Sequence, residues 1–125
     1  MTTKKSFNYN ETDTFQREFK KLNKRFKTLK EDLKVAKSSA IELLHSLNID
    51  NRSIFELTGY KTTSFKLYKL KKFACKSLKG KGVNSGIRLI YAYYETISKV
   101  VFIEIYYKGD KGLEDRNRLK KYCNS

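Results

Sequence analysis

Apolar residues recur every three or four positions through the first third of the chain: Phe15, Phe19, Leu22, Phe26, Leu29, Leu33, Ala36, Ala40, Leu43 and Leu47. Lysine fills the faces between them, which is the pattern of an amphipathic helix. A single straight helix over 14–46 would be about 48 Å long, against a radius of gyration of about 14 Å for a domain of this size. The stripe therefore predicts an α-hairpin, with helices over about 14–26 and 29–46; an extended coiled coil is the alternative. Asp13 with Gln16 reads as a capping box at the start, and Thr28 with Glu31 as a second at the break.

Elsewhere the period is two. Residues 6–10 alternate apolar and polar and suit a short first strand. Residues 64–75, 86–94 and 99–107 are strand candidates; the last two are rich in β-branched and aromatic residues and, joined by Glu95-Thr-Ile-Ser98, predict a hairpin. Residues 48–63 are polar with two brief apolar islands and are not assigned. Lys79-Gly-Lys-Gly82 and Asn84-Ser-Gly86 form a basic connector, Lys108–Gly112 ends the sheet, and 113–122 suits a short helix. The order predicts an α+β fold: a helical hairpin on a mostly antiparallel sheet, in one domain over 1–125.

Charge changes the picture. The 125 residues hold 28 lysines and arginines against 13 acidic residues, a formal net charge of +15. Such an excess costs stability through self-repulsion and favours a polyanionic partner, nucleic acid foremost. Seven lysines crowd into 65–82: Lys66, Lys69, Lys71, Lys72, Lys76, Lys79 and Lys81. Tyr68, Tyr91, Tyr106 and Tyr107 interleave with cations, which suits a surface that tracks phosphates and stacks bases. Tyr106 and Tyr107 are adjacent in a strand, so they face opposite sides and are not equally buried.

Several chemistries lack their residues. The one histidine, His45, sits on the helical stripe and reads as structural. There is no nucleotide-binding Gly-x-x-x-x-Gly-Lys-Ser/Thr loop, no Gly-x-Ser-x-Gly elbow, and no acidic or histidine cluster with metal-ligand spacing. Cys75 and Cys123 are widely separated, so neither a disulfide framework nor zinc is expected, and a reducing cytoplasm fits. No apolar run is long enough to span a membrane, and the N-terminus lacks a signal peptide's apolar stretch.

Arg88 stands inside Gly86-Ile-Arg-Leu-Ile-Tyr91, an otherwise apolar strand, and so needs a partner: Glu104 on the neighbouring strand, or a bound phosphate. The register decides whether Arg88 and Glu104 share a face. RNA cleavage by 2′-hydroxyl attack needs a base, charge stabilisation on the phosphate and a proton for the leaving oxygen. Lysine and arginine can stabilise the phosphate, and a lysine crowded by cations can act as base.

Five stretches resemble the RelE/ParE superfamily of type II toxins: Phe19-Lys-Lys-Leu-Asn-Lys, Leu29-Lys-Glu-Asp-Leu33, Phe65-Lys-Leu-Tyr-Lys-Leu-Lys, and Ser85-Gly-Ile-Arg-Leu-Ile-Tyr91 with Phe102-Ile-Glu-Ile-Tyr-Tyr-Lys-Gly-Asp-Lys111. They span about 14–122, apart from the insertion at 48–63. The resemblance implies a growth-inhibiting toxin neutralised by a cognate, partly acidic antitoxin. In the RelE-like branch it implies an endoribonuclease that enters the ribosomal A site and cuts mRNA with no metal and no cofactor. Its site residues carry over as Lys69 and Lys71, either one the base, with Arg88 and Lys108 holding the phosphate. Lys66, Lys72, Lys76, Lys79, Lys81, Tyr106, Tyr107 and Lys111 would bind RNA. The branch often carries a C-terminal Tyr or His as general acid or stacking group; here the final helix offers only Tyr122. The ParE-like branch shares the scaffold but inhibits DNA gyrase, and a non-catalytic RNA-binding module is the other alternative.

Overall fold

The computed structural model describes residues 6–50 and 52–124. Its elements are β1 (Asn8–Glu11), α1 (Asp13–Arg25), α2 (Leu29–Ala36), α3 (Glu42–Leu47), β2 (Ile54–Leu57), β3 (Lys66–Leu70), β4 (Ile87–Tyr94), β5 (Lys99–Tyr107) and α4 (Arg116–Cys123). The five strands form one mixed sheet in the order β1-β5-β4-β3-β2. β1 runs parallel to β5, and every other neighbouring pair is antiparallel.

The helical stripe does fold back. α1 ends at Arg25, Phe26 leaves helical geometry, and α2 starts three residues later. α2 and α3 are continuous through one π-helical turn, Lys37–Ile41. The capping differs from expectation. Thr12 caps α1, accepting from Phe15 N at 3.2 Å. Thr28 makes no side-chain cap on α2; its hydroxyl instead donates to Asp32 Oδ2 at 2.7 Å and lies 2.8 Å from Ser77 Oγ, which ties the lysine-rich loop to the helix.

The sheet has a core on each face. Phe15, Leu22, Phe26, Leu29 and Leu33 of the hairpin pack on Leu70, Leu89, Tyr91 and Phe102. On the other face Leu119 of α4 packs with Leu67, Ile90, Ala92, Ile103 and Tyr106. Alternation along the strands decides which face each residue takes. α4 is pinned by Arg118, whose guanidinium grips Glu18 through two bonds of 2.9 and 2.8 Å and donates to Ile103 O at 3.1 Å.

Two departures bear on the site. The unassigned stretch contains β2, an edge strand paired to β3. And β3 is shorter than the expected 64–75: it ends at Leu70, so Lys71, Lys72, Lys76, Lys79 and Lys81 lie beyond the strand. No helix among the described residues is long and apolar enough to cross a membrane.

Candidate anion-binding site

Three strand ends meet where β3 leaves the sheet. Lys71 N donates to Ser53 O at 2.8 Å, which carries the β2–β3 ladder one residue past the end of β3. β4 enters at Gly86–Arg88, and Lys108, just past β5, donates its backbone N–H to Gly86 O at 2.8 Å. Lys71, Lys72, Arg88 and Lys108 thereby line one cleft of about 340 Å³, with Phe55, Asn84 and Gly86. Four cations and no carboxylate form its described lining. Such a concentration of one sign on a partly dry wall attracts an anion.

The register resolves what Arg88 does. Arg88 lies opposite Tyr106 and Glu104 opposite Ile90, so both occupy the α4 face. They do not pair. Arg88 Nη1 donates to the Lys71 carbonyl oxygen at 2.6 Å, and among the described residues no carboxylate neutralises it. Glu104 is completely buried, pairs with Lys111 and accepts from Asp115 N at 2.8 Å. The register shift between Ile90 and Tyr91 turns both Ile103 and Glu104 to that face. Lys71 Nζ stands 4.9 Å from the centre of the exposed Phe55 ring, a cation–π contact at the cleft's edge.

Lys69 has a different environment from Lys71. Its ammonium donates to Glu114 Oε1 at 2.6 Å, with both side chains buried. Burial opposes both charges and is the largest single influence, but the mutual hydrogen bond, further hydrogen bonding (from Tyr106 for Lys69, from the backbone for Glu114) and the neighbouring charges together exceed it: Lys69 is pushed above its ordinary value and Glu114 below. Of the two candidate bases, Lys69 or Lys71, the first is thus placed in a buried ion pair and the second is exposed in the cleft. The sequence offered no sign of the Glu114 partner, which arrives from the segment before α4.

The remaining expected residues scatter. Lys76, Lys79 and Lys81 are exposed on the loop between β3 and β4. Lys66, exposed at the start of β3, lines a separate cavity on the hairpin face. Tyr106 is buried between the ammonium groups of Lys69 and Lys111, at 5.8 and 5.2 Å from its ring centre. Tyr107, half-buried on the opposite face, meets Phe26 edge-on and lies under Arg25. Neither tyrosine lines the cleft. Tyr122 is also remote: its hydroxyl is 2.7 Å from that of Tyr94, at the far end of β4 from Arg88, and burial together with that hydrogen bond pushes its pKa up. The sequence reading missed Phe55 and Asn84; the Asn84-Ser-Gly86 turn was the available signal for the second. Among the described residues no group of three or more His, Cys, Asp or Glu could hold a metal ion.

No family model matches the sequence, and no curated protein matches it. Among solved structures the chain is similar to one in the crystal structure of an archaeal RelE–RelB complex from Pyrococcus horikoshii OT3. The TM-score is 0.49 and the identity 13%, over 87% of this chain and 98% of that one.

Proposed function

We propose that the chain is a RelE-like toxin that cuts mRNA on the ribosome, with the cleft of Lys71, Lys72, Arg88 and Lys108 as its phosphate site. The observation that carries this reading is the convergence of four cations from three strand ends on one cleft without a carboxylate. Arg88, anchored on the Lys71 carbonyl, and Lys108, anchored through Gly86, hold the two non-bridging oxygens of the scissile phosphate. Lys71, acting as the free amine after giving up its own proton to water, takes the 2′-hydroxyl proton as that oxygen bonds to phosphorus. The bond to the 5′-oxygen breaks, leaving a 2′,3′-cyclic phosphate and a 5′-hydroxyl, with the leaving oxygen protonated by a cleft ammonium or by water. Lys69 holds Lys71 in place through the strand and takes no proton. At rest, an acidic segment of a cognate antitoxin covers the cleft.

The test is 5′-end mapping of mRNA in a cell-free translation reaction, with and without the purified protein. New ends only on translated messages, in frame with the A site, support the reading. A second reading, non-catalytic RNA binding, is favoured by the commitment of Lys69 to Glu114 and by the distance of Tyr122 from the cleft; it predicts binding without new ends. No new ends, unimpaired translation and no RNA binding would overturn both and direct the assay to gyrase supercoiling.

A further inference from the structure

A second cavity, of about 430 Å³, opens at the other end of the β3–β4 ladder, on the hairpin face. Lys66 pairs with Tyr93 there, whereas Leu70 pairs with Leu89 at the cationic cleft; five residues of strand separate Lys66 from Lys71, about 16 Å. Aromatic rings form its wall. His45 of α3 stacks on Tyr93 with ring centres 4.0 Å apart and meets Tyr68 edge-on at 4.8 Å. His45 Nε2 lies 2.7 Å from the Tyr91 hydroxyl, and Tyr68 stacks on Tyr91. Hydroxyl groups, among them Ser64, and two opposite charges, Lys66 and Glu95, complete the lining.

Lys66 and Glu95 are exposed and share the cavity, yet no ion pair joins them among the described residues. Glu95 is near enough to the rings to contribute, after burial, to raising the pKa of both Tyr68 and Tyr93. A ligand that satisfies this lining has a flat face for the rings, an anionic group for Lys66 and paired N–H donors for a carboxylate. Among nucleobases only guanine sets two donors side by side on its Watson–Crick edge; adenine and cytosine place a ring acceptor beside their amino group, and uracil flanks its single N–H with carbonyls. The volume falls within the roughly 300–1,000 Å³ of small-molecule sites.

We infer that this cavity binds a guanine nucleotide, the base stacked on Tyr68 and read by Glu95, the phosphate held by Lys66. The site is distinct from the cationic cleft and stands whether or not that cleft cuts RNA. The nucleotide is either free or part of a single strand, and stacking with Watson–Crick-edge reading serves both.

The experiment titrates the isotope-labelled full chain with GMP, AMP, ribose 5-phosphate and a guanine-containing RNA tetranucleotide, followed by amide NMR. GMP should shift residues 62–68 and 93–96 and bind at least about tenfold more tightly than AMP. Lys66→Gln should weaken GMP about tenfold, and Glu95→Gln should bring GMP down to the level of AMP. Both side chains are exposed, so both variants should fold, and unchanged spectra elsewhere verify it. GMP affinity equal to or above that of the tetranucleotide assigns the free nucleotide; the reverse assigns RNA. No shifts at these positions at millimolar concentrations, shifts confined to the Lys71–Arg88–Lys108 cleft, or equal binding of GMP and AMP overturns the inference.

Discussion

Lys69 Nζ and Glu114 Oε1 stand 2.6 Å apart beneath α4, a buried ion pair two residues along the chain from an exposed lysine of the cleft. Removing one partner strands the other charge in the interior. Lys69→Met should therefore cost about 3 kcal/mol in urea unfolding, and the double variant Lys69→Met/Glu114→Leu should regain most of it. Additive losses would show that the two do not act as a unit.

The same pair shapes stability against pH. Glu114 has its folded pKa depressed, so its contribution is present above its ordinary value of 4.5 and is lost as pH falls through the lower folded value. Lys69 has its folded pKa raised, so its contribution is present below 10.5 and is lost as pH rises through the higher folded value. Thermal melts should show a plateau between these limits. The acid-side decline should be shallower in Lys69→Met/Glu114→Leu than in the parent.

Arg88 reaches the cleft with a planar fork and one bond to the Lys71 carbonyl. In the ribonuclease reading, Arg88→Ala and Lys108→Ala should each reduce message cleavage by about 10- to 100-fold, as expected for a lost charge-assisted bond. Arg88→Lys should restore little, because a point charge does not replace two-pronged contact. Melting temperatures measured beside the cleavage assay separate this from unfolding.

Salt dependence distinguishes the two lysines of the strand exit from Lys69. For single-stranded RNA, Lys71→Ala and Lys72→Ala should each reduce the log–log salt slope by about 0.7 if each meets a phosphate. Lys69→Met should leave the slope unchanged, since its charge is already matched by Glu114. Fluorescence anisotropy over a range of potassium chloride concentrations measures both.

Gly86 has φ +88°, and an added Cβ would lie 3.3 Å from Tyr107 Cε1. Gly86→Ala should cost about 1–2 kcal/mol in chemical denaturation through its left-handed backbone. Because Gly86 O accepts from Lys108 N, the variant should also weaken RNA binding more than its stability loss accounts for.

Long periodic segments were legible in the sequence. The buried set Phe15, Leu22, Phe26, Leu29, Leu33, Ala36 and Ala40 repeats at helical spacing, and the β4–β5 hairpin is rich in β-branched and aromatic residues. β2 was not legible: it is four residues long, and Phe55 and Glu56 are both exposed, so no alternation marks it. The expected capping boxes have the right residue types, but Thr28 is drawn to Ser77 and Asp32 by a contact 49 residues distant. For the site, the resemblance carries over Lys69, Lys71, Arg88 and Lys108, and the last three line one cleft. Lys69 and Lys71 looked equivalent because they share parity in the strand. Only the arrival of Glu114, 45 residues later, separates them. The partner of Arg88 rested on a register that a bulge resets, and no local residue announces a bulge.

The parallel pairing of β1 with β5 bears on the order in which the chain is made. Asn8–Glu11 emerge before the helices but pair in the sheet with Lys99–Phe102, and β4, at the centre of the sheet, also waits for β5. During synthesis the helical hairpin can form early from local contacts, whereas the sheet completes only when residues beyond 107 have cleared the exit tunnel. Arg88 and Lys108 take up their positions at that last step. A nascent chain thus lacks the assembled cationic cleft until the final strand is released.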